Sequence, residues 1–131
     1  MKTDIKTSAL LTIELESRSV EGLKAFIDDD FVGAVETIHA AKGRVVITGI
    51  GKSAIVGQKI VATLNSTGTP ALFMHAADAI HGDLGMIQED DVVIVISKSG
   101  ESPEIKVLIP LIKNFGNILI GMVGNKNALL A

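Results

Sequence analysis

A chain of 131 residues is long enough for one domain with a real core and too short for two. Hydrophobic residues make up 47% of it, yet no apolar run reaches the roughly 18 residues of a membrane span, and no apolar leader opens the N-terminus. A net charge of −3 without a basic cluster, 3% aromatics and no cysteine argue against nucleic acid or membrane as principal partner and against disulfides and thiolate metal sites, and they favour a cytoplasmic protein.

Residues 8–27 carry Leu10, Ile13, Val20, Leu23 and Ile27 near helical spacing. Ser17 and Lys24 interrupt this stripe, which predicts a helix lying partly on a partner. Asp28, Asp29 and Asp30 end it, and Asp30 is expected to cap a second helix over residues 31–42 that Gly43 stops. From Arg44 to Ile50 the chain is β-branched without alternation, the pattern of a strand buried on both faces in a parallel sheet. A helix over 53–65, a turn at 66–70, a short strand over 71–74 and a polar segment over 75–86 follow. Next come a strand over 92–97, a helix over 103–114 stopped by Gly116, a strand over 118–123 and the opening of a further helix at 128–131. This alternation predicts an α/β fold, a doubly wound parallel sheet flanked by helices, with right-handed crossovers. One domain is expected over residues 1–131, with N-terminal helices in 1–42 and an incomplete sheet core in 43–131.

Ligands of such sheets bind beyond the carboxyl ends of the strands, near the point where strand order reverses. Unusual polar residues fall there three times. The first group is Gly49-Ile50-Gly51-Lys52-Ser53-Ala54, directly after a buried strand, where glycines admit a ligand to the backbone and the next helix opens toward an anion. A Walker A loop would need Gly at the position of Val46. A dinucleotide fingerprint fits the glycines, but the second strand ends in Phe73-Met74-His75 without the acidic ribose ligand. A plain tight turn with a solvated Lys52 is the alternative.

The second group, Ser97-Lys98-Ser99-Gly100-Glu101-Ser102, offers three hydroxyls and a glycine ahead of Pro103, a residue suited to the first helical turn. Backbone amides and hydroxyls together would make a phosphate cradle. Ser102 as a simple N-cap is the competing reading, and it leaves Ser97, Ser99 and Gly100 without a reason. The third group spans His75 to Met86, with His75, Asp78, His81 and Asp83. A separation of six positions puts the two histidines on poorly matched helix faces for a metal, so catalytic or binding roles are expected and no metal. His39 reads as a surface residue.

The segments Gly49-Ile50-Gly51-Lys52-Ser53, Ser66-Thr67-Gly68-Thr69-Pro70, His81-Gly82-Asp83-Leu84-Gly85-Met86 and Ser97-Lys98-Ser99-Gly100-Glu101-Ser102, in this order, resemble a sugar isomerase (SIS) domain with a flavodoxin-like sheet. More narrowly, the chain is similar to the arabinose-5-phosphate isomerases that feed synthesis of the acid sugar Kdo for lipopolysaccharide and capsule. The resemblance implies interconversion of D-ribulose 5-phosphate and D-arabinose 5-phosphate without a cofactor. It implies Lys52, His81 and Glu101 as catalytic residues and Ser97, Ser99 and Ser102 as the phosphate loop, and the positions of Gly51, Ser53, His75 and Gly100 at the strand ends make them further expected substrate or phosphate contacts. It also implies a homodimer or homotetramer, and a nucleotide-activated sugar as a feedback effector. Members of the family continue past residue 131 with a further strand, helices and another active-site glutamate and histidine, often with CBS repeats, so a shortened chain is expected. A non-catalytic sugar-phosphate sensor, or an isomerase of another ketose phosphate, are the alternatives.

Overall fold

The computed structural model describes residues 4–131, which form two compact units, one running to Glu36 and the other from Thr37 to Ala131. In the first, α1 (Ile5–Gly22) starts at Asp4, whose carboxylate accepts from the amides of Lys6 and Thr7 at 3.3 Å each. It runs into a 3₁₀ turn, Leu23–Phe26. Every apolar residue of α1 is exposed, Leu10 at 58% and Ile13 at 63% among them. The helix α2 (Asp29–Ala40) is capped by Asp28, not by Asp30 as expected, because Asp28 Oδ1 accepts from the Phe31 amide at 3.1 Å. Asp29 and Asp30 already lie in the first turn, where their charge favours the positive helix end. The helix also ends before Gly43, whose reason is different. A Cβ there would lie 2.4 Å from the backbone of Asp90, so only glycine allows this approach.

In the second unit β1 (Val45–Gly49), β2 (Ala71–His75), β3 (Val92–Ser97) and β4 (Ile118–Val123) form one parallel sheet in the order β2-β1-β3-β4. The uninterrupted β-branched runs of β1 and β3 are its two buried centre strands. Their side chains alternate between two cores. Val46, Met74, Val93 and Val95 pack with Ile105, Leu108, Ile109 and Ile112 of α5 (Pro103–Asn114) and with Ala76 and Ala79 of α4 (Ala76–Ile80). Val45, Ile47, Ile94 and Ile96 pack on the other side with Ile60, Val61 and Leu64 of α3 (Lys52–Ser66) and with Ile38. Burying each such aliphatic side chain contributes about 1.5–3 kcal/mol.

The amino end of the sheet is closed by a polar clamp. Asp91, 2% exposed, accepts from the Arg44 amide and Nη2 at 2.7 Å each and from the Gln88 amide at 2.9 Å. Asn117 Nδ2 donates to the carbonyls of Gln88 at 2.8 Å and Asp91 at 2.9 Å, tying β4 to β3. Burial raises the Asp91 carboxyl, but the hydrogen bonds from Arg44 and Gln88 and the guanidinium charge outweigh it and hold the group below the usual carboxylate range.

Two expectations differ. The polar segment after β2 contains α4 and a 3₁₀ turn, Asp83–Met86, too short and alanine-rich to show a periodic stripe. The tail beyond β4 is a chain of turns instead of a helix opening. Asn125 Oδ1 caps the Asn127 amide, and Ala128 and Leu130 are buried, Leu130 lying so close over Gly121 that a Cβ there would stand 2.6 Å from its carbonyl oxygen.

Candidate functional site

The chain leaves β1 toward β2 on one side and returns to β3 on the other, so the carboxyl ends of β1 and β3 flank the point where strand order reverses. Parallel register sets Gly49 abreast of both His75 and Ile96, with Ser97 next in line. Two strand spacings of about 4.8 Å thus place the turn after β1, the end of β2 and the loop after β3 along roughly 10 Å of sheet edge.

The turn after β1 is held by close packing. A Cβ on Gly49 would lie 3.1 Å from the Ile96 carbonyl oxygen and 3.3 Å from the Ser53 carbonyl carbon. Gly51 takes φ 60° and ψ −131° at the start of α3, a conformation that side chains rarely adopt. This helix opens with no side-chain cap and no acidic residue in its first turn. Lys52 is its first residue, exposed, and without a carboxylate partner among the described residues. Ser53 is half-buried beside it.

The loop after β3 is braced by its own serines. Ser97 Oγ, buried, accepts from the Gly100 amide at 3.0 Å, and Ser99 Oγ accepts from the Glu101 amide at 3.2 Å. A hydroxyl that accepts still keeps its proton to donate, so both serines can serve an anion without giving up the brace. Gly100 has φ +69°, and a Cβ there would stand 2.6 Å from Ala128 Cβ. The Gly124 amide donates to the Lys98 carbonyl at 3.0 Å, a second tie from beyond β4 to this loop. Ser102 occupies the N-cap position of α5, yet its side chain makes no capping bond and its Oγ is buried without a partner. Capping therefore does not account for Ser102. Glu101 Oε2 lies 3.4 Å from Lys106 Nζ, and both side chains are half exposed. Such a pair contributes at most about 1 kcal/mol, a small resistance to Glu101 turning toward a substrate.

His75 ends β2 and caps α4, its Nδ1 accepting from the Ala77 amide at 3.2 Å. Its ring stands edge-on to Phe73 at 6.4 Å between centroids. With Nδ1 accepting, the neutral ring carries its proton on Nε2. His81 is exposed at the opposite end of α4, about 8 Å of helix away. No group of three or more His, Asp or Glu side chains suited to a metal occurs among the described residues. Nor is any helix there long and apolar enough to cross a membrane.

The structure thus collects Gly51, Lys52, Ser53, His75, Ser97, Ser99, Gly100, Glu101 and Ser102 on the carboxyl edge of the sheet and sets His81 at the far end of α4. Sequence reasoning missed Lys106, the partner of Glu101, and Ala128, the neighbour of Gly100. It also missed Thr48, the one hydroxyl in the otherwise apolar strand β1, a signal that was legible there.

A parallel sheet with braced, glycine-bearing loops at its switch point defines a doubly wound α/β domain with a candidate ligand site at its carboxyl edge. Residues 37–131 match the family model of the SIS domain, and the chain belongs to that family. It is 56% identical over 128 residues to arabinose 5-phosphate isomerase KdsD of Pseudomonas aeruginosa, an alignment covering 98% of this chain and 39% of that protein. Arabinose 5-phosphate isomerase KpsF of Escherichia coli O6:H1 is 46% identical over 126 residues, covering 95% of this chain and 38% of the relative. A solved structure of an Escherichia coli CFT073 protein in complex with arabinose 5-phosphate matches with a TM-score of 0.84 and 37% identity, over 98% of this chain and 70% of that one. The chain therefore spans well under half the length of the curated relatives it matches.

Proposed function

We propose that this chain is the sugar-phosphate-binding and catalytic domain of an aldose–ketose isomerase that interconverts D-ribulose 5-phosphate and D-arabinose 5-phosphate. The observation that carries this reading is the register that sets the Gly49–Ser53 turn and the Ser97–Ser102 loop side by side, one bearing an unpaired Lys52 and the other a braced serine cradle. The 56% identity to an arabinose 5-phosphate isomerase supports this choice of substrate.

In the forward direction a base takes a proton from C1 of the ketose, the electron pair forms the C1–C2 double bond, and the C2 oxygen gains a proton to give an enediol. Return of a proton to C2, with loss of the O1 proton, yields the aldose. Glu101 suits the proton transfer between C1 and C2. Lys52 suits stabilisation of the oxyanion as charge develops on it. His81 is assigned ring opening or proton shuttling. The hydroxyls of Ser97, Ser99 and Ser102, the backbone of Gly51, and Ser53 hold the phosphate, Gly100 shaping the loop through its brace to Ser97 and His75 standing on the same sheet edge. No cofactor takes part in this scheme.

The product feeds Kdo synthesis for lipopolysaccharide or capsule in the cytoplasm, where sugar phosphates are made. A downstream nucleotide-activated sugar acts as effector, and the exposed apolar stripe of α1 mediates a homodimer or homotetramer. The deciding test is arabinose 5-phosphate formation from ribulose 5-phosphate by the wild type and by Lys52→Ala. Turnover lost in the variant supports the assignment. A folded wild type with no turnover, stabilised by arabinose 5-phosphate, would leave a binding domain only, and absence of both effects would remove the ligand.

A further inference from the structure

We propose that Thr48 is a positioning residue of the phosphate site, its buried hydroxyl donating to Ser102 Oγ once an anion is bound, so that the Ser102 proton is directed at that anion. This rests on the reading that the Ser97–Ser102 loop holds a phosphate. Thr48 is 0% exposed and its Oγ1 has no hydrogen-bond partner. An unpaired buried hydroxyl is unfavourable, and valine would fill the same shape in an otherwise aliphatic strand without that penalty. The only other buried side-chain polar atom left unpaired among the described residues is Ser102 Oγ.

The fold puts both on one face of the sheet, toward its carboxyl edge. Thr48 is the next-to-last residue of β1, abreast of Met74 and Val95. Side chains alternate along a strand, so Thr48 shares the side of Val46, the side covered by α4 and α5. The helix α5 opens at Ser102 on that same side, at the carboxyl end of β3. A hydroxyl has one proton and two lone pairs. If Ser102 accepts from Thr48, its single proton is left for the ligand and its rotamer is fixed. The unfavourable state then belongs to the free protein, and binding relieves it.

The test is melting and titration of the wild type, Thr48→Val, Thr48→Ser, Ser102→Ala and the double variant Thr48→Val with Ser102→Ala, using inorganic phosphate and arabinose 5-phosphate in separate titrations. Thr48→Val should melt no lower than the wild type without ligand, while its affinity for inorganic phosphate falls about fivefold to tenfold. Thr48→Ser should restore that affinity, and Thr48→Val should add nothing in the Ser102→Ala background. Phosphate affinity of Thr48→Val within about twofold of the wild type, or full additivity with Ser102→Ala, would overturn the proposal. A wild type that binds phosphate but not arabinose 5-phosphate removes the isomerase reading and leaves Thr48 to be decided by the phosphate arm. A wild type that binds neither overturns both.

Discussion

Replacing Gly100 with alanine tests the loop from two directions at once. The residue has φ +69°, where a Cβ costs roughly 1–2 kcal/mol. Its new methyl group would also stand 2.6 Å from Ala128 Cβ, far inside van der Waals contact, and overpacking of that kind costs about 1–3 kcal/mol. Together these amount to roughly 2–5 kcal/mol, a large share of the 5–15 kcal/mol that holds a typical domain. The two parts can be separated. In an Ala128→Gly background the steric part disappears, so the cost of Gly100→Ala should fall to about 1–2 kcal/mol in urea unfolding. Because the Gly100 amide braces Ser97 Oγ at 3.0 Å, Gly100→Ala should also reduce thermal stabilisation by arabinose 5-phosphate. An equal cost in both backgrounds would refute the seating of the tail on the loop, and a cost below about 1 kcal/mol would refute the strained backbone as well.

The buried Asp91 should make the domain acid-sensitive. Its folded pKa is depressed, so its contribution is present above the ordinary carboxylate value of about 4 and is lost as pH falls through the lower folded value. Asp91→Asn should flatten that acid limb and cost roughly 2–4 kcal/mol at neutral pH, read by denaturant unfolding across pH; an unchanged limb would put the sensitivity elsewhere. Leu10→Glu with Ile13→Glu should lower the mass seen by light scattering with helicity intact, since both side chains are exposed, and an unchanged mass would take α1 out of the interface.

Much of the fold was legible because β1 and β3 are β-branched without alternation, and only strands covered on both faces tolerate that pattern. The helix of residues 103–114 carried its start at Pro103 and its stop at Gly116, and α5 has those bounds. What the sequence could not show depends on contacts across long separations. Gly43 looks like a helix stop until Asp90 is seen against it, and Gly100 reads as mere loop until Ala128 arrives. The short α4 has no stripe to detect, and the cap at Asp28 differs from Asp30 only by which carboxylate reaches the Phe31 amide. At the site, the order of motifs located the strand ends, but the pairing of Glu101 with Lys106 and the orphaned hydroxyls of Thr48 and Ser102 needed coordinates.

The parallel register also governs how this site comes into being. Val45 pairs with Val92, and no hairpin joins any two neighbouring strands, so nothing local can preform the switch point. The central pairing must close a long loop before it gains a single ladder bond, which makes such sheets slow to fold. Until then the apolar runs of β1 and β3 are open to other chains. Concentration and temperature during refolding should therefore decide the yield of binding-competent protein, and peptides copied from either loop alone should have no affinity for phosphate.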